Sequence, residues 1–156
     1  MGSYGKCNFD GLKDFRKKIS NLEKKKVDEF MELCAKELAA RLLAKVIKRT
    51  PVGVYPSGSG KVGGTLRRGW TAGKSQSAKS YADSLTIQHI GNVYKIEITN
   101  PVEYSSYVEH GHRTRNHKGW VEGKFMLTIS EQELQTIAPK VLENKIKKLL
   151  GECFTW

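Results

Sequence analysis

The sequence predicts an α+β fold: long N-terminal and C-terminal helices packed on a small antiparallel sheet, with a long basic Gly/Ser-rich loop. Three observations carry that prediction. Apolar residues recur at helical spacing towards both ends, two alternating runs flank a Gly-Asn turn, and thirty residues rich in glycine and serine separate the first helix from the strands. At 156 residues the chain fits a single domain, 1–156, large enough for one core but not two. Residues 1–10 are expected to be flexible, and 51–80 to form a long loop or arm.

The first helix is expected from about Gly11 to Arg49. Phe15, Ile19 and Leu22 recur at helical spacing, as do Phe30, Cys34, Leu38, Leu42 and Val46, with charged residues between. The apolar stripe pauses at Lys24–Lys26, which suggests a break or kink there, and Pro51 stops the helix. From Pro51 to Ser80 there are seven glycines, five serines and two prolines, a composition that does not build a regular packed element.

Leu85, Ile87 and His89 then alternate with polar residues, as do Tyr94, Ile96 and Ile98, and Gly91-Asn92 suits a two-residue hairpin turn. Asn100-Pro101 ends the second strand, and Val102–Glu109 reads as a short helix. A loop follows from His110 to Gly123, and Phe125–Ile129 fits either a strand or the start of the last helix. Leu134, Ala138, Val141, Leu142, Ile146 and Leu149 form the final stripe. Pro139 implies a helix start near Ala138 or a kink, and Gly151 is a natural stop.

Net charge is +11, from 27 basic and 16 acidic residues, which predicts attraction to a polyanion or an acidic protein surface. The excess is concentrated: Leu38 to Ala82 holds nine basic residues and no acid. No run approaches the roughly 18 apolar residues of a membrane span, so no membrane partner is expected. The N-terminus lacks the apolar region of a secretory signal, which points to assembly in a cytosol. Cys7, Cys34 and Cys153 are far apart and odd in number, which disfavours a disulfide framework or a zinc ribbon. Cys34 reads as a small core residue.

Candidate chemistry is thin. Gly58-Ser59-Gly60-Lys61 lacks the Walker pattern, because Tyr55 stands where glycine is required and Val62 follows the lysine. His110, His112 and His117 with Glu109 offer metal-ligand types, but Arg113, Arg115 and Lys118 would repel a cation. Ser105 or Ser106 with His110 and Glu109 has triad types without a nucleophile elbow. No catalytic residue, cofactor or metal is therefore assigned. A basic and aromatic set is the more serious signal. Arg67, Arg68, Trp70, Arg113, Arg115, Lys118 and Trp120 fit either phosphates and stacked bases or a protein partner's hot spots.

Resemblance separates these readings. Arg49-Thr50-Pro51-Val52, followed after an insertion by Gly64-Thr65-Leu66-Arg67-Arg68-Gly69-Trp70, resembles the R-x-P-V-D-T-G-x-L-R-x-S signature of the bacteriophage tail-completion, or minor tail, family of lambdoid and Gram-positive phages. Ile98-Thr99-Asn100 through Tyr104, Tyr107, Val108, Glu109, Gly111, His112 and Arg113 resembles that family's I-x-N-x-x-x-Y-A-x-Y-V-E-x-G-H-R. Gly119 to Leu127 has a counterpart too, so the likeness runs from about Glu29 to Leu149. The family's Asp-Thr-Gly is replaced by the longer, more basic segment Gly53–Gly64.

The resemblance implies a structural virion protein at the head–tail junction, built in the host cytoplasm. It would be a ring-forming tail-completion or tail-terminator (neck) subunit of a phage or tail-like particle. Its partners would be itself, commonly as a hexamer, and neighbouring neck and tail-tube proteins, with non-specific contact to DNA in the lumen. Interface or DNA-facing candidates are Arg49, Lys61, Arg67, Arg68, Trp70, Tyr104, Tyr107, Glu109, His112, Arg113, Arg115 and Trp120. The alternative is a basic nucleic-acid-binding protein of phage origin.

Overall fold

Helix α1 (Asp10–Arg49) is the axis on which the other elements are hung, its 40 residues spanning about 60 Å. The computed structural model describes residues 10–153, with side chains followed essentially from Glu23 to Gly151. The expected tail over residues 1–9, the side chains of Phe15, Ile19 and Leu22, Cys7 and the Cys153 side chain lie outside the described residues. The helix runs unbroken through Lys24–Lys26. A gap in the apolar stripe removes packing but no backbone hydrogen bond, and lysine is a good helix former.

The expected loop over 51–80 is corrected at two places. Thr65–Gly69 forms α2 and Ala78–Ser84 forms α3, with Ser77 capping α3 by accepting a hydrogen bond from the Ser80 N–H at 3.1 Å. Leu66, Trp70 and Ala82 are buried, so this part of the segment feeds the core and is not an arm. From Pro51 to Val62 every residue is exposed.

Strands β1 (Gln88–Ile90) and β2 (Val93–Lys95) pair antiparallel around Gly91-Asn92, with Ile90 opposite Val93. Gly91 takes φ +60°, which glycine adopts without steric cost. The strands are shorter than the alternation suggests, although Ile96 and Ile98 beyond them still pack on the core. Helix α4 (Ser105–His110) leads into a second hairpin, β3 (Gly111–Arg113) with β4 (Trp120–Glu122), where a loop is expected from sequence. Thr114 closes its tip: its N–H donates to Gly119 O at 3.0 Å and its hydroxyl accepts from the Gly119 N–H at 3.0 Å.

Helix α5 (Met126–Cys153) settles the ambiguity at Phe125–Ile129 in favour of helix, and carries Pro139 inside it and Gly151 before its end. A proline removes one backbone donor, and the helix continues on both sides of it; Pro139 itself is exposed. Helix α5 runs antiparallel to α1, as the pairs Arg49–Glu133 near one end and Lys145–Glu37 near the other require. Among the described residues the architecture is helix-rich α+β with two separate two-stranded sheets. The expected platform, one sheet under both long helices, is replaced by helix-on-helix packing, because strands of three largely exposed residues offer too little apolar face. The core joins Ala39, Leu43 and Val46 of α1 to Leu66, Trp70, Ala82 and Met126. Cys34 is buried as a free thiol, and burial raises its pKa.

Candidate functional site

The residues singled out from sequence divide into internal braces and surface groups. Thr50 is the hub of the braces. Its hydroxyl donates to Val46 O at 2.6 Å and accepts the Trp70 indole N–H at 2.8 Å. Its carbonyl receives Arg67 Nη2 at 2.7 Å and Nε at 3.2 Å. Pro51 ends the helix, and Arg67 and Trp70 fold α2 back over that end, satisfying groups that a helix terminus otherwise leaves open. Trp70 is 3% exposed, so its expected place at an interface is corrected: it is a core residue with its single donor satisfied.

Arg49 is likewise an internal brace. Its guanidinium donates to Ser130 Oγ at 2.7 Å and to Glu133 Oε1 at 2.6 Å, while Lys45 Nζ reaches Glu133 Oε2 at 2.7 Å. These contacts fix α5 on α1. The Lys45 hydrogen bond, followed by that from Arg49, outweighs desolvation and lowers the Glu133 carboxyl pKa.

Glu109 is buried and caps α5. Its carboxylate accepts the Leu127 N–H at 2.9 Å, the Thr128 N–H at 3.0 Å and the Thr128 hydroxyl at 2.8 Å. Burial is the largest influence and pushes its carboxyl upward. The Leu127 and Thr128 donors, helped by nearby His110, together hold it below the usual carboxylate range. With both oxygens committed, Glu109 is not disposed to ligate a metal with the histidines. Among the described residues no group of three or more His, Cys, Asp or Glu side chains converges on a metal position.

Asn100 completes the frame. Its side-chain N–H donates to Leu66 O at 2.9 Å and its carbonyl oxygen accepts the Val102 N–H at 3.1 Å. Gly69 lies so close that an added Cβ would collide with Asn100 Oδ1. The motif residues from three separate stretches thus meet around the end of α1. Thr50, Ser130 and Glu133 went unnoticed as site residues, although Thr50 stands between a helical run and a proline.

Eight candidates remain at the surface. Lys61 lies over the Tyr55 ring at 5.8 Å, and Arg68 reaches Gly63 O at 3.3 Å from an exposed position. Tyr104, Tyr107 and Trp120 are 46%, 59% and 60% exposed. Tyr107 meets the half-buried His112 ring edge-on at 5.9 Å. Arg113 stands directly across the hairpin from Trp120, and Arg115 is exposed near the hairpin tip. The structure gathers Tyr107, His112, Arg113 and Trp120 around α4 and the second hairpin, and leaves Lys61 and Arg68 with the glycine-rich segment.

Fold and site define a helical scaffold whose buried polar groups brace its own elements and whose outer face displays aromatic and basic side chains. The chain belongs to the HK97-gp10-like family, described as "Bacteriophage HK97-gp10, putative tail-component", whose model matches residues 13–111. The motif resemblance is borne out at that level: this is a family of structural phage tail components, not of enzymes. The match ends at the first residue of β3. Neither the curated proteins nor the solved structures yield a significant match. No described helix is long and apolar enough to cross a membrane.

Proposed function

We propose that the chain is a ring-forming tail-completion or tail-terminator subunit at the head–tail junction of a phage or phage-tail-like particle, with no enzymatic role. Family membership supports the tail; one surface observation carries the ring. Trp120 stands exposed directly across the hairpin from Arg113, and Tyr104 and Tyr107 are exposed at the start of α4 and on it, the residue types that concentrate at protein–protein hot spots. A subunit that repeats one contact around a closed ring covers such a face on every copy. The reading places the protein in the virion, assembled in the host cytoplasm, as a hexamer between neck and tail-tube proteins.

The segment Pro51–Val62 supports the same view. It is exposed throughout, and Val54 and Val62 are 95% and 77% exposed. Ordering against a neighbour would bury these valines. Limited proteolysis of free and assembled protein tests this: cleavage within 51–62 is expected to slow on assembly, and equal cleavage in both contradicts it.

A second reading, a nucleic-acid-binding protein, is favoured by Lys48, Arg68 and Lys74, which stay exposed within the acid-free block. A basic lumen would touch passing DNA without reading its sequence. DNA affinity of the isolated subunit that falls steeply with salt would support that reading.

A further inference from the structure

We propose that the concavity between α2 and α3, flanked by Lys48 on α1, binds the phosphate backbone of DNA and is the DNA-facing site of the subunit. This rests on the contact with DNA raised in both readings above and names its place. The concavity, about 510 Å³, is lined by Ile47 of α1, by Arg67, Arg68 and Lys74, and by Gln76 ahead of α3. Among the described residues neither an acidic nor an aromatic side chain lines it. Arg67 spends Nε and Nη2 on the Thr50 carbonyl, and Arg68 spends Nη1 on Gly63 O. Each guanidinium therefore keeps further N–H donors for a ligand. Lys48 and Lys74 are exposed and form no ion pair among the described residues. The backbone that carries these cations is fixed. Ala72 and Gly73 take φ +51° and +75°, doubling the chain back after α2, and the Gly73 N–H donates to Arg68 O at 3.0 Å. The buried Thr71 hydroxyl donates to Lys74 O at 2.8 Å, which seats Lys74 beside Arg68.

The acids of the adjoining elements are already neutralised. Lys48 lines the groove on the other flank of α1 with Lys45, Arg49 and Glu133, and Glu133 is bonded to both Lys45 and Arg49. Asp83, at the far end of α3, meets Lys79 at 3.1 Å. The positive charge of Lys48, Arg68 and Lys74 is thus left for a partner. A protein hot spot needs an aromatic or aliphatic anchor, and half-buried Ile47 is all that this lining offers. Arginine, lysine and glutamine around an open groove are instead the donors that contact phosphates, at interfaces more polar and more positive than those between proteins. The second hairpin is the contrasting case, because exposed Trp120 and Glu122 accompany its cations.

The test compares two full-length variants, Lys48→Ala/Arg68→Ala/Lys74→Ala and Arg113→Ala/Arg115→Ala, with helicity checked by circular dichroism. All five positions are exposed, so both variants are expected to fold. Fluorescence anisotropy of a short labelled DNA duplex, titrated between about 50 and 200 mM salt, reads the slope of log affinity against log salt. The triple variant is expected to bind more weakly and with a slope shallower by about 2–3, and the hairpin variant to keep the wild-type slope. Single variants repeat the measurement one charge at a time, each expected to lower the slope by about 1. Loss confined to the hairpin variant overturns the site and leaves DNA binding standing. Polyglutamate that displaces the duplex as well as unlabelled duplex does also overturns the site, in favour of an acidic protein partner. A wild-type chain that does not bind the duplex at low salt overturns both the site and the contact with DNA.

Discussion

Trp70 donates its indole N–H to the Thr50 hydroxyl at 2.8 Å, both side chains being buried, and this bond fastens α2 over the end of α1. Arg49, Thr50, Arg67 and Trp70 belong to a motif interrupted by a long insertion. In this chain the bond joins the two halves: one supplies the helix end and the other its cover.

Thr50→Val is expected to destabilise the fold by about 1–3 kcal/mol, since it leaves the buried indole donor unpaired. Thr50→Ser keeps the hydroxyl and should retain most of the stability. Urea unfolding followed by tryptophan fluorescence measures both. Equal stability of Thr50→Val and wild type contradicts the role given to the bond.

Gly69→Ala should cost about 1–3 kcal/mol by overpacking, because the new methyl group meets Asn100, which already bridges Leu66 and Val102. A thermal midpoint unchanged by the substitution would show that Asn100 can move aside.

Glu109 gives a pH signature. Its folded pKa is lowered, so the unfolded chain binds the proton more readily and this contribution to stability rises with pH. It is complete above the ordinary glutamate value of about 4.3 and is lost as pH falls through the lower folded value. Glu109→Gln should be less stable than wild type by about 1 kcal/mol near neutral pH, the usual size of a lost cap. The gap should shrink in acid. A gap independent of pH would mean that the carboxylate charge contributes nothing.

Arg49 and Arg68 should separate stability from binding. Arg49→Ala removes the bonds to Ser130 and Glu133 and is expected to lower stability by about 1 kcal/mol, a modest figure because the pair is partly solvated. Arg68→Ala should leave the unfolding free energy within about 0.5 kcal/mol of wild type. If this exposed arginine faces DNA in the lumen, its loss should also reduce the salt dependence of DNA binding. Denaturation and fluorescence anisotropy read the two effects; a reversed pattern would contradict the division into braces and surface groups.

The long helices and the first hairpin were legible because periodicity and turn chemistry are local. Gly91-Asn92 set the register of the pair formed by β1 and β2. What escaped sequence reasoning depended on tertiary partners. The glycines of 51–80 hid α2 and α3, whose five and seven residues hold their form through Leu66, Trp70 and Ala82 in the core. The second hairpin had no alternating pattern to announce it, since β4 is exposed throughout. Arg49 and Trp70 looked like binding groups because arginine and tryptophan serve partners and cores alike, and only their contacts to Glu133 and Thr50 distinguish the two.

The most direct test of the ring reading is the absolute mass of the full-length protein, by light scattering over a concentration series with and without DNA. The account predicts a discrete ring-sized species, or growth towards one with concentration, in the absence of DNA. A strict monomer that gains mass only when DNA is added would contradict it and favour the nucleic-acid-binding reading.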